Sequence, residues 1–157
     1  MKQKQKEAQK KGKAVPSLLR WGLVGFIVVV VIGAWFVWQF TTAPVFQKIS
    51  ATEVNKLIKD HVNNSGFIVL DVRTPEEFAQ GHLPEKTPLN LDFYAEDFRE
   101  QLAQLDRDKT YLVYCRTGNR SGKTVEMMKG LGFRRVYDLK GGIVTWQSAG
   151  LPIKIEK

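Results

Sequence analysis

The chain of 157 residues has one cysteine, Cys115, and only two histidines, His61 and His82. A lone cysteine excludes an internal disulfide framework and a cysteine-rich zinc site, and two histidines leave a structural metal site short of ligands. At roughly 100–200 residues per domain, the length excludes a multidomain enzyme. The body also lacks the interleaved basic and aromatic residues of a nucleic-acid surface, although the formal net charge is +8. That charge is unevenly spread. Lys2, Lys4, Lys6, Lys10, Lys11, Lys13 and Arg20 face one acid, Glu7, in residues 1–20, whereas the rest of the chain carries 17 basic and 15 acidic side chains. The excess belongs to a tail, and a basic tail beside an apolar run reads as membrane topology, not as a nucleic-acid partner.

The apolar run is Trp21 to Phe40, WGLVGFIVVVVIGAWFVWQF, with no charge and one amide, Gln39. Twenty helical residues span about 30 Å, the thickness of a bilayer's hydrocarbon core. Trp21 stands at one end and Trp35 and Trp38 near the other, where indoles favour the headgroup level. The run exceeds the roughly 7–15 apolar residues of a cleaved signal, and Pro44 follows the small residues Thr41-Thr42-Ala43 where a cut would fall. An uncleaved single-pass transmembrane helix at 21–40 is the expectation, with the tail at 1–20 cytoplasmic. Only Lys48, Lys56 and Lys59 follow within twenty residues, so the positive-inside rule places the remaining chain extracytoplasmically. A cytoplasmic domain is the alternative.

Residues 41–47 (TTAPVFQ) read as a linker and residues 48–157 as one domain, long enough to bury a core. Ser50 and Glu53 form a capping box that predicts a helix to about Asp60. Phe67 to Val72 is a short continuous apolar run, the pattern of a strand covered on both faces. Thr74-Pro75 opens a short helix, with threonine as the cap and proline in the first turn. Leu89 to Leu91 is a weak strand; 95–105 is helical, with Phe98, Leu102 and Leu105 on one face. Tyr111 to Cys115 and Arg135 to Leu139 are strands. Ser121 to Leu131 is a helix closed by Gly132, and Ile143 to Ala149 is a last short helix. Strands alternate with helices, so the fold class is α/β with a parallel sheet.

The chemistry points to Tyr111–Thr124, YLVYCRTGNRSGKT, where a strand ends, a tight loop follows and a helix begins. Ligands of open parallel sheets bind beyond the carboxyl ends of strands, and Cys115 stands there. Loop amides curling toward its sulfur form an anion nest, the following helix adds a positive dipole end, and Arg116 and Arg120 add two cations. All favour thiolate over thiol and make Cys115 a candidate nucleophile. Gly122-Lys123-Thr124 ends like a phosphate-binding loop, but only three residues separate Gly118 from Gly122 where four are required. A cysteine-dependent phosphatase loop would place arginine at 121, which is serine, and histidine at 114, which is tyrosine.

Cys115-Arg116-Thr117-Gly118-Asn119-Arg120-Ser121 resembles the active loop C-R-x-G-x-R of the single-domain rhodanese-like, sulfur-transferring family, with its trailing serine. Asp71-Val72-Arg73, Glu77-Phe78 and Gly81-His82-Leu83 are similar to that family's D-V-R…E-[FY]…G-H-[IL] stretch. Gly132-Phe133 with Val136-Tyr137, Gly141-Gly142-Ile143 with Trp146, and Gly150-Leu151-Pro152 resemble its later segments, so that the likeness covers residues 49–153. One departure is the loop from Pro84 to Asn90, two residues longer than the family's usual form and without its small pair.

The resemblance implies a rhodanese-like fold and sulfane-sulfur transfer through a persulfide on Cys115. The amides of residues 116–120 would stabilise the terminal sulfur. Arg116 and Arg120 would attract an anionic donor such as thiosulfate, and Arg120 would also pin the loop. Asp71 and Arg73 would line the site or form a structural ion pair beside it. His82 would be a hydrogen-bonded structural residue and Trp146 a core residue. The implied partners are a small sulfur-containing substrate, a thiol or protein acceptor and the membrane, with no metal or organic cofactor. A second reading is a non-catalytic module that binds a partner or senses sulfide or redox state through Cys115.

Overall fold

The computed structural model describes residues 28–35, 43–84 and 88–155, and the chain divides into two units, Met1–Thr42 and Ala43–Lys157. In the first unit residues 28–35 are helical, and Val28, Val29, Val30, Val31, Ile32 and Trp35 are exposed. Among the described residues no helix is long and apolar enough to cross a membrane. The tail expected at 1–20 lies outside the described residues, as does the span expected at 21–40 except for residues 28–35.

The second unit is built on a five-stranded sheet of order β1-β5-β4-β2-β3, with every pairing parallel. The strands are β1 (Val45–Ile49), β2 (Phe67–Asp71), β3 (Leu89–Asn90), β4 (Thr110–Tyr114) and β5 (Arg135–Leu139). The helices are α1 (Ala51–Asp60), α2 (Pro75–Ala79), α3 (Phe98–Ala103), α4 (Asn119–Gly130) and α5 (Gly142–Ser148). β1 begins inside the stretch expected to be a linker. Pro44 and the mixed run VFQKI conceal it, because an edge strand needs apolar residues on neither face throughout. Its partner supplies the order: all five residues of β1 pair in register with β5, and the Val45 amide donates to the Arg134 carbonyl at 2.6 Å.

Side-chain alternation along the strands sorts the core into two layers. Phe67, Val69, Leu112, Tyr114 and Leu139 pack on one face with Val54 and Ile58 of α1 and Ile143 and Trp146 of α5. Leu70, Tyr111, Val113, Cys115 and Val136 pack on the other with Phe98 and Leu102 of α3 and Met128 of α4. Trp146 is fully buried, with its Nε1 donating to the Pro152 carbonyl at 2.8 Å, so the largest side chain of the core leaves no polar atom unpaired. The capping box expected at Ser50 and Glu53 forms in full, and the cap expected at Thr74 is completed by Glu77 into a second box. α4 starts two residues before the expected Ser121, since Gly118 takes a left-handed φ of 93° and turns the chain straight into the helix. Residues 85–87, within the lengthened loop, lie outside the described residues.

The parallel arrangement brings the carboxyl ends of β2, β4 and β5 to one edge, and α5 fixes the segment after β4 there. Its first turn donates the Ile143 amide to the Cys115 carbonyl at 2.9 Å and the Val144 amide to the Arg116 carbonyl at 3.2 Å. The approach needs glycine at 142: its φ is +62°, and a Cβ there would strike the carbonyl oxygens of Cys115 and Arg116. Gly142→Ala is accordingly expected to lower unfolding stability by about 1–3 kcal/mol, as for a side chain forced into a left-handed conformation, with the clash adding to it. Denaturant titration of the variant checks this, and unchanged stability would refute the close approach.

Candidate active site

Burial and hydrogen bonding pull the Cys115 sulfur in opposite directions. The residue is 1% exposed, and its removal from water favours the neutral thiol. Against burial stand the Ser121 amide and hydroxyl and the amides of Gly118 and Thr117, which together hold the thiol below its ordinary pKa. The Gly118 N–H donates to the sulfur at 3.1 Å. The amides acting on the thiol sulfur are those of 117, 118 and 121. Arg116 and Thr117 in the loop and Asn119 at the start of α4 are exposed, and Ser121 is fully buried in the first turn of α4.

Arg120 is anchored from two sides. Its Nη1 and Nη2 donate to Glu77 Oε2 and Oε1 at 2.7 and 2.8 Å, a two-pronged ion pair across 43 residues of sequence. Its guanidinium carbon also lies 5.4 Å from the centre of the Tyr94 ring. Glu77 serves twice, because its Oε2 also accepts from the Thr74 amide at 3.1 Å in the α2 capping box. The hydrogen bond from Arg120 holds the Glu77 carboxyl below its ordinary pKa despite partial burial. The charge on Arg120 and the Cys115 sulfur also act on one another. The two partners of Arg120, Glu77 and Tyr94, were invisible as such in the sequence, since a pairing over that separation has no local signature.

Asp71 and Arg73 form a buried ion pair. The Arg73 Nη2 lies 2.6 Å from Asp71 Oδ2, and the side chains are 6% and 1% exposed. Arg73 further donates to the Gly81 carbonyl at 2.8 Å and lies over the Tyr114 ring at 5.5 Å. The pair ties the end of β2 to the chain after α2, and Arg73 reaches a cavity wall with its remaining edge. Removing either partner would strand the other charge without water, which is the costly direction for a buried pair. His82 is fully buried with Nδ1 at 2.9 Å from the Leu83 carbonyl, and it stacks on Phe78 at 4.4 Å. Tyr114 accepts from the Leu83 amide at 3.2 Å, and burial raises its phenol well above the usual range, so it stays neutral.

Two cavities meet at Arg116. One, of about 400 Å³, has Cys115 at its base and is lined by Phe93, Tyr94, Thr117, Asn119, Arg120 and Lys123 besides Arg116. The other, of about 480 Å³, is walled by Arg73, Glu77, Gln80, Gly81, Ile143, Val144 and Gln147, again with Arg116. The first has three cations, Arg116, Arg120 and Lys123, in its lining and admits a small anion or an organic one with an apolar part. The aromatic wall of Phe93 and Tyr94 was not read from the sequence, where these residues stand in a segment without periodicity. Among the described residues no cluster of His, Cys, Asp and Glu is arranged to hold a metal ion.

Known proteins share this sequence pattern and fold. The rhodanese-like domain matches residues 50–149. A sulfurtransferase of Allochromatium vinosum is 36% identical over 86 residues, which cover 55% of this chain and 77% of that protein. Rhodanese-like domain-containing protein 17 of Arabidopsis thaliana is 28% identical over 126 residues, covering 74% of this chain and 80% of that one. The tRNA uridine(34) hydroxylase of Citrobacter koseri is 31% identical, but the chain spans only 34% of its length. The crystal structure of a rhodanese-related protein from Thermoplasma volcanium superposes with a TM-score of 0.59 at 34% identity, covering 70% of this chain and 99% of that one. With a family match across 50–149, a sheet that carries Cys115 at its carboxyl edge and a loop that turns amides onto its sulfur, the chain belongs to the rhodanese-like domain family.

Proposed function

We propose that the protein is a membrane-anchored sulfurtransferase that carries sulfane sulfur as a persulfide on Cys115. The observation that carries this reading is the buried sulfur facing the Gly118 amide at 3.1 Å, at the base of a cationic cavity. The Cys115 thiolate attacks the outer sulfur of a donor such as thiosulfate. A new S–S bond forms, the donor's S–S bond breaks, and its electron pair leaves with the departing group, sulfite in that case. The terminal sulfur of the persulfide is an anion in the position for which the loop amides are directed, the role of an oxyanion hole. A nucleophilic acceptor, a small thiol or a protein thiol, then attacks that terminal sulfur and releases the Cys115 thiolate. Arg116, Arg120 and Lys123 draw an anionic donor inward, and the Glu77 fork keeps Arg120 from collapsing onto the sulfur.

The tether rests on the uncharged run at 21–40, the seven basic residues before it and the exposed apolar side chains of residues 28–35. In this reading the amino terminus is cytoplasmic and the domain extracytoplasmic.

Two experiments test these proposals. Mass spectrometry of the protein after thiosulfate treatment is expected to show Cys115 heavier by one sulfur atom, with the addition discharged by cyanide or a thiol. Cys115→Ser is expected to lose both the adduct and transfer activity to background. A Cys115→Ser variant with full transfer activity would refute the mechanism, and a wild-type protein that takes up no sulfur while retaining a bound partner would favour the non-catalytic module. Protease added to intact cells is expected to digest the domain from outside; full protection would instead place it in the cytoplasm.

A further inference from the structure

β4 and β5 run in parallel register with Val113 opposite Asp138. Alternation sends Cys115 to the same face as Val113, and Asp138 to the same face as Val136. Val113, Cys115 and Val136 indeed share one core layer, which α4 covers with Met128. Ser121 projects into that layer from the first turn of α4. A thiol, a hydroxyl and a carboxylate thus share one buried space, their residues 1%, 0% and 3% exposed. None of the steps proposed above uses the carboxylate.

Ser121 Oγ and Asp138 Oδ1 are both buried, and neither has a hydrogen-bond partner of ordinary geometry. Such orphans are rare in buried space and call for a reason. The hydroxyl lies near enough to the Asp138 carboxylate and the Cys115 sulfur to influence the ionisation of both. The other charge facing Asp138 is Lys48, its register partner on β1, whose Nζ stands 3.3 Å from Oδ2 and whose side chain is 54% exposed. The charge facing the sulfur is Arg120.

We propose that Asp138 is a positioning residue for the Cys115 sulfur and acts through the Ser121 hydroxyl, whose single proton the two anions share. A serine hydroxyl has one proton to donate and turns freely, whereas the amides around the sulfur are fixed by the loop. With Asp138 ionised, the hydroxyl donates to Oδ1 and the thiolate loses one donor. With the carboxylate neutral or drawn toward Lys48, the hydroxyl donates to the sulfur. Burial raises the proton affinity of Asp138 while Lys48 lowers it, so the two arrangements compete. The proposal rests on Cys115 as the nucleophile, but not on the identity of any sulfur donor.

The test is the pH profile of Cys115 alkylation by iodoacetamide in the full-length protein in detergent, where a single cysteine makes the readout unambiguous. Ser121→Ala is expected to displace the profile upward by about one pH unit, the worth of one hydrogen bond to a charged group. Asp138→Asn is expected to displace it downward by about half a unit or more, and this displacement is expected to vanish in the Ser121→Ala background. Lys48→Gln, on the exposed edge strand, serves if the Asp138 variant does not fold. It is expected to move the profile with Ser121 present and to leave it in place with Ser121→Ala. Profiles of Asp138→Asn or Lys48→Gln that superpose on wild type, or that shift equally without the hydroxyl, would overturn the proposal. A persulfide that still forms on Cys115 in that case would leave the sulfur-transfer reading standing.

Discussion

One buried sulfur is under two opposed demands, and the carboxyl edge of the sheet is arranged around their balance. Withdrawal from water would leave Cys115 an inert thiol, as it does most buried cysteines. The turn from β4 into α4 reverses that outcome by presenting the amides of 117, 118 and 121 and the Ser121 hydroxyl to the sulfur. Dipoles fixed in place work in a dry pocket with little reorganisation, which makes them more effective there than mobile water. In the proposed chemistry the groups that ionise the thiol would also hold the anion it carries, so that activation and stabilisation draw on one set of donors.

Fixed dipoles require a fixed loop, and much of the remaining architecture serves that need. α5 grips the carbonyls of Cys115 and Arg116 from below, at a distance that only glycine at 142 permits. Glu77 holds the far end of the loop through Arg120, and Thr74 holds Glu77 through the α2 capping box. Asp71 and Arg73 hold the neighbouring strand end, and Arg73 ties it to Gly81. The loop is therefore braced from α5 and from α2, with the end of β2 fixed beside it. None of these braces carries sulfur itself, yet displacing any one would move the amides on which the chemistry depends.

Features written locally in the sequence could be read from it. The helix caps at Ser50 and Thr74, the buried runs of β2 and β4 and the helix after Gly118 depend on neighbours a few residues apart, and local patterns announce them. The cysteine loop was legible for the same reason: its glycine, arginines and serine lie within seven residues. β1 was hidden in part because an edge strand gains its order from β5, almost a hundred residues downstream. The Glu77 fork on Arg120, the aromatic wall of Phe93 and Tyr94 and the carboxylate of Asp138 behind the serine arise only when the sheet assembles. Which amides face the thiol sulfur follows from the left-handed turn at Gly118 and not from residue type.

The ionisation of this one thiol stands at the centre of the account, and it can be followed directly by the ultraviolet absorbance of the thiolate as pH is raised, with Cys115→Ser as the blank. Half-ionisation is expected clearly below that of an ordinary cysteine, roughly 8.5 in model peptides, with that absorbance lost at every pH in the blank. A midpoint at or above the ordinary value would contradict it, since the burial of Cys115 would then have prevailed over the amides that face its sulfur.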